Sequence, residues 1–179
     1  MNQNNKHISK FLSYVLRHKP EEIDLTLDQN GWADLNELLA KMAGEFKGIN
    51  IETIVEVVES NDKQRFALNE DQTKIRANQG HSIEVDVELE QAVPPSVLYH
   101  GTVAKFIASI KQDGLQKRNR QHVHLSATVD TAIIVGTRRG EAIILEIAAY
   151  QMHTDGFQFF LSKNGVWLTD QIPSKYINY

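Results

Sequence analysis

Residues 121–140 read Gln121-His122-Val123-His124-Leu125-Ser126-Ala127-Thr128-Val129-Asp130-Thr131-Ala132-Ile133-Ile134-Val135-Gly136-Thr137-Arg138-Arg139-Gly140. In an extended strand successive side chains point to opposite faces, so His122, His124 and Ser126 share one face while Val123 and Leu125 share the other. One face can pack and the other can meet a ligand. Ser126, Ala127 and Thr128 are small or polar ahead of an apolar run, the pattern of a strand turning into a short helix. Gly136 is expected to end that helix and to leave Arg138 and Arg139 at its exit, where guanidinium forks can grip an anion. By itself the stretch better suits a strand and helix carrying surface His and an exposed basic pair.

Working outward, the second half reads as strands over 97–100, 122–126, 142–147, 158–161 and 166–169, with helices over 105–112 and 131–135. Asn164-Gly165 supplies a tight turn between the last two strands. The expected result is a mixed, largely antiparallel α+β lobe over 97–179. It lacks a phosphate-binding loop and a Gly-x-Gly-x-x-Gly after a strand, which argues against a nucleotide hydrolase or an ordinary dinucleotide fold.

In the first half, Ile8, Phe11, Leu12, Val15 and Leu16 recur at helical spacing until Pro20 halts the helix, which puts Arg17 and His18 at its C-terminus. A short strand is expected at 25–27, followed by a turn at Asn30-Gly31 and an anchoring Trp32. Asp34 and Glu37 suggest a capping box for a helix with Leu35, Leu38, Leu39 and Met42 on its apolar face. Asn50 caps a third helix faced by Ile51, Ile54, Val55 and Val58. Strands at 65–68 and 74–77 complete a winged-helix-like lobe over 1–82. In 83–96, Ile83, Val85, Val87 and Leu89 alternate with acids before Pro94-Pro95, as in a half-buried edge strand or extended tether, and this is the expected linker.

The 179 residues carry a net charge of −4 and no cysteine, which excludes disulfides and thiolate catalysis. No apolar run reaches the length of a membrane span and the first residues lack a signal core, so a cytoplasmic protein is expected. The acidic balance argues against non-specific coating of nucleic acid and leaves room for a local basic pocket. Seven His invite a metal reading, but none is paired at His-x-x-x-His spacing, and no metal is expected. What remains is Arg and His beside turns and strand ends, suited to bidentate capture of a phosphomonoester.

Several motifs, in order, carry a family resemblance. They are Leu12-Ser13-Tyr14-Val15-Leu16-Arg17-His18, Asp28-x-x-Gly31-Trp32, Arg65-Phe66 and Ile75-Arg76-Ala77-Asn78-Gln79-Gly80-His81-Ser82. Then follow Tyr99-His100-Gly101-Thr102, Arg120-Gln121-His122-Val123-His124-Leu125-Ser126, Val135-Gly136-x-Arg138 and Asn164-Gly165-Val166-Trp167-Leu168. Through nearly its whole length the chain resembles the RNA 2′-phosphotransferases, formerly called tRNA 2′-phosphotransferases. The resemblance implies an N-terminal winged-helix lobe, a C-terminal ADP-ribosyltransferase-like lobe and an active site in the cleft between them. It also implies NAD as co-substrate and, as partner, an RNA with an internal 2′-phosphate such as tRNA splicing leaves.

On this resemblance Arg17, His18, Arg65 and Arg138 are the expected catalytic group, with the Arg forks on the phosphate and His18 as general acid/base. His100, Gly101 and Thr102, with His124 and Ser126 opposite, are expected to bind NAD, and Gly101 is expected to allow close backbone approach to it. Gln79 and His81 are expected to contact the RNA or its phosphate. A monomer is expected. The competing readings are an ADP-ribosyltransferase acting on a nucleic-acid end phosphate or a protein, and a non-catalytic winged-helix nucleic-acid binder.

Overall fold

The computed structural model describes residues 3–179. The chain divides into two compact units, Met1–Glu88 and Leu89–Tyr179, each with its own hydrophobic core. Six α-helices and several antiparallel sheets make up the described residues.

In the first unit, α1 (Gln3–Arg17) buries Ile8, Leu12, Val15 and Leu16 along one stripe, and the short 3-10 turn Pro20–Ile23 follows it. The strand expected at 25–27 does not form. Its backbone is committed elsewhere: Leu25 N–H donates to the Pro20 carbonyl at 2.9 Å and Thr26 N–H to the Glu37 carboxylate at 3.1 Å. The first strand is instead β1 (Ala33–Asp34), which leads directly into α2 (Leu35–Met42). Asp34 caps α2 by accepting from Glu37 N–H at 2.9 Å. The reciprocal half of the expected capping box is diverted, because the Glu37 carboxylate serves Thr26.

Asn50 caps α3 (Ile51–Glu59) through Thr53 N–H at 2.9 Å, as its position in the sequence suggests. β2 (Phe66–Leu68) and β3 (Lys74–Ala77) pair antiparallel, and β1 joins the other side of β3. Beyond β3 the apolar residues of 83–88 do turn inward, with Val87 buried, while the acids stay exposed. This run forms no strand. It is held by Asp86 N–H on the Gln29 carbonyl at 2.9 Å and by Glu88 on Arg76 at 2.9 Å, and the buried Arg76 guanidinium stacks 4.5 Å from the Trp32 ring.

The second unit opens with β4 (Glu90–Gln91), β5 (Leu98–Thr102), α4 (Ala104–Asp113), β6 (Leu115–Gln116) and β7 (Val123–Leu125). It continues with α5 (Val129–Gly136), the 3-10 turn Thr137–Arg139, β8 (Ile143–Ile147), α6 (Ala149–Thr154), β9 (Phe160–Leu161) and β10 (Trp167–Thr169). β11 (Gln171–Ile172), a 3-10 turn at Ser174–Tyr176 and β12 (Ile177–Asn178) close the chain. The sheets run β4-β9-β10-β7, β12-β8-β5 and β11-β6. Reciprocal hydrogen bonds between Tyr99 and Ser126, 2.9 and 2.8 Å, tie β5 to the end of β7. Gly165, at φ +75, makes the β9–β10 turn.

α5 ends at Gly136 as expected, with Arg138 and Arg139 at its exit, but not through a left-handed glycine: the φ of −63 at Gly136 is helical and the backbone winds on as a 3-10 turn through Thr137–Arg139 to Gly140, whose φ of +136 breaks it. The reason for glycine at 136 is space: an added Cβ would lie 2.9 Å from the Ala142 Cβ and 3.3 Å from the Gly101 backbone. Among the described residues no helix is long and apolar enough to cross a membrane.

Candidate active site

The first unit gathers Arg17, His18 and Arg65, residues from distant parts of the sequence. Arg17 ends α1 and its Nη2 donates to the Arg65 carbonyl at 3.4 Å, with the guanidinium 6.0 Å from the Phe66 ring. Arg65 immediately precedes β2 and its Nη1 donates to Asn61 Oδ1 at 3.2 Å. Asn61, 1% exposed, in turn donates to Ser9 Oγ on α1 at 3.1 Å, so the aim of Arg65 is set by a buried amide.

The loop that leaves β3 closes this cluster. Asn78 N–H donates to the Arg65 carbonyl at 2.8 Å and its side-chain amide to the Gln64 carbonyl at 2.6 Å. Gly80, at φ +90, turns the chain, and Ser82 N–H donates to the Arg17 carbonyl at 2.9 Å. Ser82 Oγ lies 2.9 Å from His18 Nδ1. Gln79, half-buried, sits in this loop.

His81 is placed differently from the expectation of contact with RNA. It is 1% exposed, neither ring nitrogen has a hydrogen-bond partner, and burial pushes its pKa down to about 4, aided by the charges of Arg17, His18 and Arg76. The ring is therefore neutral and closed off from solvent.

In the second unit β5 alternates. Leu98 and Thr102 are buried on the face that His100 shares, whereas Gly101 points the other way. The close approach that Gly101 allows is to α5: a Cβ there would lie 1.9 Å from the Ala132 carbonyl oxygen. His100 Nδ1 lies 3.0 Å from the His124 carbonyl, and because a carbonyl can only accept, the proton sits on Nδ1 and Nε2 presents a lone pair. Burial chiefly lowers the His100 pKa and Arg120 and Arg139 add to this, while the bond to His124 opposes it. A neutral His100 can accept a hydroxyl proton. Val123 and Leu125 are buried while His122, His124 and Ser126 are half-buried, matching the alternation in the sequence.

Arg138 lies in the second unit, exposed in the turn after α5, where its charge and that of Arg139 act on Arg120. The Arg120 pKa is depressed, first by desolvation and then by Arg139 and Arg138. Among the described residues none of the three forms an ion pair with a carboxylate. Neighbouring guanidinium groups without a counter-charge suit a multiply charged anion such as a diphosphate or phosphomonoester. Sequence reasoning did not single out Ser82, Asn61, Asn78 or Arg120. Asn61 stands in no motif, and Asn78, Ser82 and Arg120 stand inside motifs of the resemblance without chemistry that marks them out.

The model of the family described as RNA 2′-phosphotransferase, Tpt1 / KptA family, matches residues 3–171. A protein of Flavobacterium johnsoniae named "Probable RNA 2′-phosphotransferase" is 56% identical over 180 residues, covering 100% of this chain and 99% of its own. One of the same name from Burkholderia pseudomallei is 53% identical over 171 residues, 96% of this chain and 93% of its own. A third, from Fusobacterium nucleatum, is 51% identical over 177 residues, 98% and 99% of the two chains. With residues from Arg17 to Arg138 all inside the matched region, the chain belongs to the RNA 2′-phosphotransferase family.

Proposed function

We propose that this protein removes an internal 2′-phosphate from RNA with NAD as co-substrate, in two steps. The RNA 2′-phosphate attacks the nicotinamide-bearing ribose carbon, releasing nicotinamide and forming an ADP-ribosylated 2′-phosphate. The ribose 2″-hydroxyl then attacks phosphorus, giving RNA with a 2′-hydroxyl and ADP-ribose 1″,2″-cyclic phosphate. The observation that carries the reading is the gathering of Arg17, Arg65 and His18 by one backbone-pinned loop, because it sets two guanidinium forks and an imidazole on one unit.

Each residue then has a physical task. Arg17 and Arg65 hold the phosphate, and Arg138 adds charge against the developing phosphorane. His18 exchanges the proton in the second step. His100 accepts a ribose hydroxyl at Nε2, with Thr102, His124 and Ser126 along the same wall and Gly101 holding β5 against α5. Arg120 and Arg139, beside Arg138, suit the diphosphate of NAD. Gln79 contacts the RNA, and His81 acts from behind the surface. The winged-helix and ADP-ribosyltransferase-like readings of the two units accord with three helices and a small sheet in the first and mixed antiparallel sheets in the second.

The test is to mix protein, NAD and an oligonucleotide with one internal 2′-phosphate, without added metal and with EDTA. Stoichiometric nicotinamide release together with RNA lacking the phosphate is expected, since guanidinium groups can balance the charge that a divalent ion otherwise would. Phosphate removal without NAD, or complete loss in EDTA restored by a divalent ion, overturns the proposal. Nicotinamide release with the 2′-phosphate untouched assigns the transfer to another acceptor, and NAD-independent binding without release assigns a nucleic-acid-binding protein.

A further inference from the structure

Ser82 touches the end of α1 twice. Its N–H takes the Arg17 carbonyl at 2.9 Å, which lies among the carbonyls a helix C-terminus leaves without intrahelical partners. Its hydroxyl lies 2.9 Å from His18 Nδ1. The position of Ser82 is itself fixed by backbone, through the turn at Gly80 and the bond from Asn78 N–H to the Arg65 carbonyl four residues earlier. One serine thus links the backbone of Arg17 to the imidazole of His18.

Neutral imidazole carries its proton on one nitrogen, and a serine hydroxyl can either donate or accept. We propose that Ser82 is a positioning residue for His18, its hydroxyl oxygen accepting from Nδ1–H and so selecting the tautomer whose Nε2 lone pair can take a proton. This rests on the two-step reaction proposed above. In the second step the 2″-hydroxyl proton passes to Nε2 as its oxygen bonds to phosphorus, and the bond from phosphorus to the ADP-ribose-linked 1″-oxygen is retained. The RNA 2′-oxygen leaves with the electron pair of the broken P–O bond and is protonated to the hydroxyl by the imidazolium, directly or through water, which returns His18 to its neutral form. As His18 becomes imidazolium, Nδ1–H remains, and its bond to Ser82 becomes charge-assisted, so the contact tightens while the proton is being taken up.

The other tautomer, with the proton on Nε2, has no lone pair there and cannot act as the base. Removing the hydroxyl removes the share of the bias between the two that Ser82 supplies. The effect falls on the step that moves a proton and spares the first step, in which an already anionic phosphate attacks and nicotinamide leaves without protonation.

The experiment uses full-length protein with 15N-labelled histidine, as wild type, Ser82→Ala and Ser82→Thr, with His18→Gln to identify the His18 signals. Long-range 15N–1H spectra at mildly alkaline pH should show Nδ1–H in wild type and in Ser82→Thr, and a shift toward Nε2–H in Ser82→Ala. In single-turnover kinetics Ser82→Ala should slow the second step about tenfold, the worth of one ordinary hydrogen bond in a transition state. The first step should stay unchanged and Thr should restore the second. An Nε2–H tautomer in wild type, or a spectrum indifferent to Ser82→Ala, overturns the proposal. Equal slowing of both steps with a lowered thermal midpoint overturns it as well, leaving Ser82 a cap of α1. The spectra need neither NAD nor RNA, so failure of wild type to remove a 2′-phosphate would sink the proposed reaction separately.

Discussion

Placing a proton on His81 is harder inside the fold than in the unfolded chain, because the charge would be buried beside Arg17, His18 and Arg76 with no acceptor at either ring nitrogen. The unfolded chain therefore binds more protons between pH 6.5 and about 4, and the stability tied to neutral His81 is full above 6.5, falls through that window and levels below it. The displacement from 6.5 to about 4 corresponds to roughly 3 kcal/mol at most. Replacing His81 by Leu should flatten that part of the stability-versus-pH curve, measured by urea unfolding from pH 7 to pH 4, while costing little at pH 7. An undiminished slope in His81→Leu would assign the acid sensitivity to other groups. Residue identity in the motifs pointed to Arg17, His18 and Arg65, because Arg and His announce their chemistry. It could not show that His81 is sealed or that Ser82 reaches His18 across 64 positions, since both follow from tertiary contact.

Among the elements, the contact between β5 and α5 is set by two glycines. Neither Gly101 nor Gly136 has a positive φ, so both are required for room, and a Cβ at 101 would sit 1.9 Å from the Ala132 carbonyl. Gly101→Ala should therefore force the strand and helix apart and cost about 3 kcal/mol, the upper part of the overpacking range. Gly44→Ala is the control, with nothing within 4 Å of the added carbon and an expected gain of about 0.4–1 kcal/mol. Equal thermal midpoints for the two variants would refute this account of Gly101. Helices with local start signals were legible, as Asp34 and Asn50 both cap as read. The two-residue strands β4, β6, β11 and β12 were not, because pairing with a distant partner defines them and two residues carry no period. The strand expected at 25–27 failed for the converse reason: its apolar alternation was real, but its N–H groups found nearer acceptors.

For the molecule as a whole, the proposed reaction separates into a step that needs positioning and a step that also needs proton transfer and charge stabilisation. Positioned proton transfer is worth on the order of 10²–10⁴ in rate and one preorganised electrostatic donor roughly 10²–10³. His18→Ala, Arg65→Ala and Arg138→Ala should each slow the second step more than the first, so that RNA one ADP-ribose heavier than the substrate accumulates in single-turnover mass analysis. Arg65 belongs to the first unit and Arg138 to the second, and the same heavier species from both variants would assign both units to one reaction. Stalling with unmodified RNA and intact NAD would remove the group from the second step. The acidic, proline-containing run 83–96 has the composition of a linker, but its middle is held: Asp86 N–H binds the Gln29 carbonyl, the Glu88 carboxylate pairs with Arg76, Glu90 and Gln91 pair with β9, and Ala92 N–H donates to the Phe159 carbonyl at 3.0 Å. A protease needs a stretch of chain that can detach and lie extended in its cleft. With bonds on either side of it, the crossing between Glu88 and Leu89 should be cut by limited proteolysis only slowly in the native protein, although it lies within the run whose composition is that of a linker.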